Sequence, residues 1–352
     1  MKTFIIKDAA FLVSSLFLVV FSSCEKEEQI APLGAEGTPT NKMVQVYPFG
    51  NSAASALSAL SEVTGQEGPN FVDEHYVQVN STTYNYGSQS QHTLKLFVSP
   101  DNDLTDKPVV LLFPGGGFIN YNRVAEMEAL AEELASKGFA AAVVKYTIDP
   151  NDNNNDMVDW IYGVQDIRSA VRYICKEASV HGFSTTNIFI GGWSNGASIA
   201  FNHAFMGQNE LTDIDDANLQ TTLSTNINTL GWDNADNAGF SGDVKGVIAM
   251  NMFTQAEDFV DAGDPALFMV GCTQQQFGNG VVTYGTLVNS GVTIYGPLPV
   301  KNRALTQGYV EGQNLELRTE QWPNALYTHP NYTTLRADHW YDISAFLARN
   351  LD

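Results

Sequence analysis

Two hydrophobic periods alternate along the chain from about residue 76 onward. Tyr76-Val77-Gln78-Val79 and Leu94-Lys95-Leu96-Phe97-Val98 change between apolar and polar in steps of two, the pattern of half-wet strands near a sheet edge. Val109-Val110-Leu111-Leu112-Phe113 is apolar throughout, which suits a strand covered on both faces. Val124, Met127, Leu130, Ala131 and Leu134 recur at helical spacing and stop at Lys137-Gly138, a usual helix end. Ala140 to Tyr146 reads as the next buried strand. Val158, Ile161, Val164, Ile167, Val171 and Ile174 form one face of a helix over Met157 to Ala178, and Asn187-Ile188-Phe189-Ile190 is another short strand. Strand and helix alternating in this order predict an α/β domain with a mostly parallel, doubly wound sheet and flanking helices.

The first residues follow a different pattern. Met1-Lys2 and Lys7 precede an apolar stretch from Phe11 to Phe21 that stops at Ser22-Ser23-Cys24, the arrangement of a secretory signal. The stretch is about half of the ~20 residues a spanning helix needs, so a cleaved signal is expected rather than a transmembrane anchor. Ser22-Ser23-Cys24 resembles the lipobox of bacterial lipoproteins, with Phe21 where leucine is usual, and the acidic Glu25, Glu27 and Glu28 resemble the surface-export signal of Bacteroidetes lipoproteins. That resemblance implies a lipid on Cys24 and an exported protein at the outer membrane or cell surface. Residues 1–23 are therefore expected to be the signal peptide and residues 24–60 a lipid-anchored tether and linker, Pro/Gly-rich from Gln29 to Lys42. Residues 61–352 are expected to be a single domain. Cys175 and Cys272 then remain, too few for a disulfide framework, and are expected to be buried thiols.

Charge narrows the partners. Lys+Arg 18 against Asp+Glu 39 gives a net charge of −21, which repels nucleic-acid phosphates and anionic lipid and leaves neutral ligands and carbohydrate unopposed. Membrane contact is expected through the lipid anchor alone.

The chemistry-bearing signal is Gly192-Trp193-Ser194-Asn195-Gly196, a Gly-x-Ser-x-Gly pattern between the strand at Ile188 and a helix through Ala197, Ile199, Ala200 and Phe201. A serine on a sharp strand-to-helix turn lifts its hydroxyl above the sheet, and the glycines remove the Cβ atoms that would clash there. The strand ending at Phe113 runs into Pro114-Gly115-Gly116-Gly117-Phe118, whose backbone N–H groups are free to face a cavity. With the N–H of Asn195, those of Gly116 and Gly117 are expected to form an oxyanion hole. A phosphate loop would instead end in Lys-Ser/Thr, which this run lacks.

These motifs, in this order and separation, resemble the α/β-hydrolase fold, and within it esterases with an HGGG-like or PGGG-like oxyanion loop, such as the carbohydrate and feruloyl esterases. The resemblance covers Val109 to the C-terminus. It implies a serine carboxylic-ester hydrolase that works through an acyl-enzyme on Ser194 without a cofactor, on acetyl or feruloyl decorations of polysaccharide. Gly242 to Met250 resembles the sixth strand of secreted members. Their next strand leads into His-Gly-Thr-x-Asp, where this chain has Val270-Gly271-Cys272-Thr273-Gln274. The acid position is thus Gln274. An amide fixes the histidine tautomer but does not stabilise the imidazolium, so a catalytically degenerate binder of a glycan or acyl ligand stays open as the rival reading. A replacement acid is available at Glu257 or Asp258.

The base must follow the last strand, read at Leu315 to Arg318. His329 lies in a proline-broken stretch ahead of the final helix, where the fold places its histidine. His339, four residues from both Leu335 and Ile343, is the alternative on the apolar side of that helix. No His, Cys and carboxylate cluster has metal-ligand spacing. Residues 207–242, rich in Asn, Asp and Thr, sit where this fold carries a cap; Phe118, Trp193 and Trp232 are the aromatic candidates for substrate contact.

Overall fold

The computed structural model describes residues 40–46, 75–100, 102–148, 156–272, 276–277, 281–282, 284–289, 292–320 and 332–351. Nine strands form one sheet: β1 (Thr40–Val46), β2 (His75–Asn85), β3 (Thr93–Val98), β4 (Lys107–Phe113), β5 (Ala140–Val144), β6 (Phe183–Trp193), β7 (Gly246–Met250), β8 (Ala266–Cys272) and β9 (Leu315–Glu320). Their order is β1-β2-β3-β5-β4-β6-β7-β8-β9. The pairs from β1 to β5 are antiparallel, and every pair from β5 to β9 is parallel. This is the mostly parallel α/β sheet that the alternation predicts.

Among the described residues six α-helices flank it: α1 (Val124–Ser136), α2 (Asp156–His181), α3 (Asn195–Phe205), α4 (Ala217–Leu230), α5 (Pro297–Thr306) and α6 (Tyr332–Arg349). The run at β4 is continuous because the strand is covered twice. Val109, Leu111 and Phe113 enter the core cluster under α2 and α3, while Val110 and Leu112 enter the cluster under α1 and α6. Burial of these side chains on both faces contributes roughly 1.5–3 kcal/mol each.

Two boundaries differ from expectation. Thr40–Val46, placed in the tether, instead pair with His75 to Ser81 as the first strand of the sheet. The 207–242 segment leaves from the end of α3 and returns to the start of β7, at the sheet edge opposite Ser194. It packs along α2 through α4, which buries Leu219, Leu223 and Ile227. Gln165, Arg168 and Arg172 of α2 hold it by bonds to Gly231 O, Trp232 O and Asp233. The segment therefore lies as a flank along α2, held there by its buried apolar side chains and by bonds at Gly231, Trp232 and Asp233.

β9 ends the sheet. Its Glu316 pairs with Arg349 of α6 at 2.6 Å, and its Arg318 with Asp342 of α6 at 2.7 Å.

Candidate active site

The parallel strands converge at one edge on Ser194, between β6 and α3. Its backbone has φ 54° and ψ −124°, a positive φ that a non-glycine residue adopts only where surroundings impose it. The Ser194 N–H donates to Met250 O at 2.9 Å, tying the turn to β7, and Ser198 N–H closes the first helical bond on Ser194 O. Both glycines of the pentapeptide are explained by one atom. A Cβ on Gly192 or on Gly196 would stand 2.2 Å from the same carbonyl oxygen, Phe113 O at the end of β4. The turn is therefore pressed against β4 so closely that only hydrogen fits. Gly115 makes the reciprocal approach: a Cβ there would be 2.6 Å from Trp193 O and 3.1 Å from Ser194 Cβ. The glycine loop thus borders the nucleophile, as its sequence predicts.

The expected oxyanion donors take an unexpected partner. Gly116 N–H and Gly117 N–H converge on a single oxygen, Asn195 Oδ1, at 2.8 and 2.9 Å. Asn195 is fully buried, and its Nδ2 donates to Tyr146 Oη at 2.6 Å. Tyr146 Oη in turn donates to Pro114 O at 2.9 Å. Burial, reinforced by the neighbouring Tyr121, pushes the Tyr146 phenol well above its ordinary pKa despite the amide bond that favours ionisation, so it stays a donor. The triple glycine predicts N–H groups that face a cavity as oxyanion donors; here both end instead on the side chain next along from the nucleophile, which no local pattern announces.

The other predicted site residues fall in different places. Trp193 and Phe118 are packing residues: Trp193 lies in the cluster under α1 and α6, and Phe118 packs edge-on to Tyr146 at 6.3 Å. Two-residue periodicity along β6 carries the signal for Trp193, since it shares a face with Phe189 and not with Ile188 or Ile190. Trp232 stacks on the Arg168 guanidinium at 5.4 Å. Glu257 and Asp258 lie in a short helical turn beyond Thr254, whose hydroxyl donates to Asn202 Oδ1. That contact is two helical turns along α3 from the elbow, about 12 Å at 1.5 Å per residue. Asp258 is paired with Arg303 at 3.0 Å, and burial with the neighbouring Asp258 raises the Glu257 pKa. Cys24, Gln274 and His329 lie outside the described residues, while His339 is buried on α6.

His203 and His92 are buried for other reasons. His203 bonds to Gly242 O at 2.9 Å, and burial together with Arg168 lowers its pKa to about 3, so it is neutral. His92 stacks on Tyr86 and reaches two carboxylates, Asp166 Oδ1 at 3.1 Å from Nε2 and Asp236 Oδ2 at 3.4 Å from Nδ1. Asp166 Oδ2 also accepts from Thr147 N–H at 2.6 Å, just past β5. This buried triad joins the β2–β3 hairpin, α2 and the loop after α4. Its members are far apart in sequence, so no local pattern announces it.

The same sheet-and-helix architecture recurs in solved esterase structures. A propionate-bound thermophilic esterase from the planctomycete Thermogutta terrifontis superposes with a TM-score of 0.52, at 15% identity, over 75% of this chain and 92% of that one. The paraoxon-phosphorylated form of the enzyme gives 0.52 at 14% identity, over 76% and 95%. The chain has the α/β-hydrolase fold. Within the hydrolase domain, residues 94–234 match the BD-FAE family. An isoprenylcysteine alpha-carbonyl methylesterase of Arabidopsis thaliana is 30% identical over 116 residues, covering 33% of this chain and 25% of the relative. A probable isoprenylcysteine alpha-carbonyl methylesterase of Oryza sativa subsp. japonica is 28% identical over 116 residues, 33% of this chain and 26% of the relative. The chain thus spans about a quarter of the length of the curated relatives it matches.

Proposed function

We propose that the protein is a serine hydrolase of carboxylic esters that works through an acyl-enzyme on Ser194. The observation that carries this is the elbow itself: a serine held at φ 54° by two glycines that admit no Cβ, at the head of a helix whose first N–H groups and dipole favour an oxyanion. The esterases and methylesterases it resembles act on ester bonds, as their names state. His329 takes the Ser194 proton and returns it to the leaving alcohol, with His339 as the alternative base. The substrate class is an acetyl or feruloyl ester on polysaccharide, consistent with the BD-FAE match and with an acidic protein exported on a lipid at Cys24.

Intact-mass labelling by a fluorophosphonate tests the core of this reading. The wild-type domain is expected to gain one adduct and Ser194→Ala none; folded wild type that stays unlabelled would instead favour the degenerate glycan or acyl-ligand binder that Gln274 suggests. His329→Ala is expected to reduce turnover by about 10⁴-fold or more, by analogy with removal of a triad member. Retained activity in that variant, with loss in His339→Ala, would transfer the role to His339. For the anchor, metabolic palmitate should enter the wild-type protein and not Cys24→Ala, and a mature N-terminus at any other residue would refute it.

A further inference from the structure

We propose that the side chain of Asn195 is a positioning residue that latches the glycine loop to the nucleophile elbow. The inference rests on the hydrolase reading above. Three hydrogen bonds define the latch: Gly116 N–H and Gly117 N–H donate to Oδ1 at 2.8 and 2.9 Å, and Nδ2 donates to Tyr146 Oη at 2.6 Å. Tyr146 Oη closes the circuit on Pro114 O at 2.9 Å, at the start of the same loop. The exits of β4, β5 and β6 are thereby joined through one buried amide.

The amide is suited to this because it accepts at one end and donates at the other. The two glycine donors fix which end is oxygen, and the kept proton of Tyr146 fixes the direction of the circuit. Each backbone N–H carries one proton, and those of Gly116 and Gly117 are spent on Oδ1. Asn195 therefore divides its labour: its own N–H, at the first position of α3, is left to meet the oxyanion, while its side chain sets the loop. The loop in turn limits Ser194, since Gly115 approaches both Trp193 O and Ser194 Cβ. Freeing the loop loosens the wall beside the nucleophile and the residue whose N–H faces the developing charge. Such displacement acts on the transition state more than on substrate capture.

Asn195→Ala is the test, read on a small chromogenic ester and by fluorophosphonate labelling rate, beside Tyr146→Phe and the double variant. The substitution is expected to lower kcat and the labelling rate about 10- to 100-fold with KM unchanged within about twofold. It should also speed hydrogen exchange at the Gly116 and Gly117 amides. Tyr146→Phe should lower kcat by a smaller factor that disappears once Asn195 is alanine, because both act through one circuit. A labelled wild type whose Asn195→Ala variant turns over at the same rate or faster overturns the latch alone; a faster variant would make Oδ1 a competitor for the donors. An equal rise in KM with kcat unchanged overturns it too. A wild type that is neither labelled nor active overturns the hydrolase reading, which the Ser194→Ala comparison identifies separately.

Discussion

Gly196→Ala is expected to abolish hydrolysis and to destabilise the fold by more than about 3 kcal/mol, the range reserved for severe steric damage. The added Cβ would lie 2.2 Å from Phe113 O, 2.7 Å from Phe113 C and 2.8 Å from Pro114 O. All three are backbone atoms, so no side-chain rotation relieves the contact. Either α3 moves off the elbow or the end of β4 moves, and β4 lies between β5 and β6 in the centre of the sheet. A shift of about 1 Å at the reacting groups is enough to cost about 10²-fold in rate even where the protein folds. Urea unfolding and kcat measured together check this, with Gly285→Ala, which meets no atom within 4 Å, as the control. A Gly196→Ala protein with wild-type stability and rate would show that the turn is looser than described.

Asp166→Ala carries the second large expected effect, about 3–5 kcal/mol, because it strips one partner from a buried ion pair. It also leaves Thr147 N–H without its acceptor. The pH dependence distinguishes this from loss of packing. Burial pulls the His92 pKa down, but hydrogen bonding and charge from Asp166, with Asp236, more than offset it and raise it above 6.5. A raised histidine contributes stability that is complete below 6.5 and is lost as pH climbs through the folded value. His203 has the opposite sign: with its pKa lowered from 6.5 to about 3, its share is complete above 6.5 and is lost as pH falls toward 3. Wild-type stability should therefore be greatest near 6.5, and Asp166→Ala should lose the decline on the alkaline side while keeping the acid one. Chemical denaturation from pH 4 to 9 reads both limbs. Unchanged stability in the variant, or wild-type stability that grows from pH 6.5 to 8, would contradict the role given to the triad.

What the sequence made legible follows one physical division. The continuous β4 run, the α2 stripe and the Gly-x-Ser-x-Gly turn are local patterns, and each lies where its period places it. Thr40–Val46 lies in the stretch whose Pro/Gly-rich start predicts linker; what makes it a strand is its distant pairing with β2. The lining of the site depended on parity and on distant partners. Trp193 faces the core because of its register on β6. Arg168, far away on α2, takes up Trp232. The Asn195 amide has its donors on a loop nearly eighty residues upstream in the chain. Composition suggested a wet cap, whereas Leu219, Leu223 and Ile227 pack the segment along α2, whose side chains also take up the Gly231 and Trp232 carbonyls.

The last strand shows how the sheet ends. An outer strand offers a row of backbone groups to any passing extended chain, and such rows invite fibrous association. Here the strand is anchored ionically on one face: the side chains of Glu316 and Arg318 are held by Arg349 and Asp342 of α6. Peeling β9 from the sheet would have to pull those pairs apart. The C-terminal helix thus fastens the outermost strand to the domain by charge as well as packing its core.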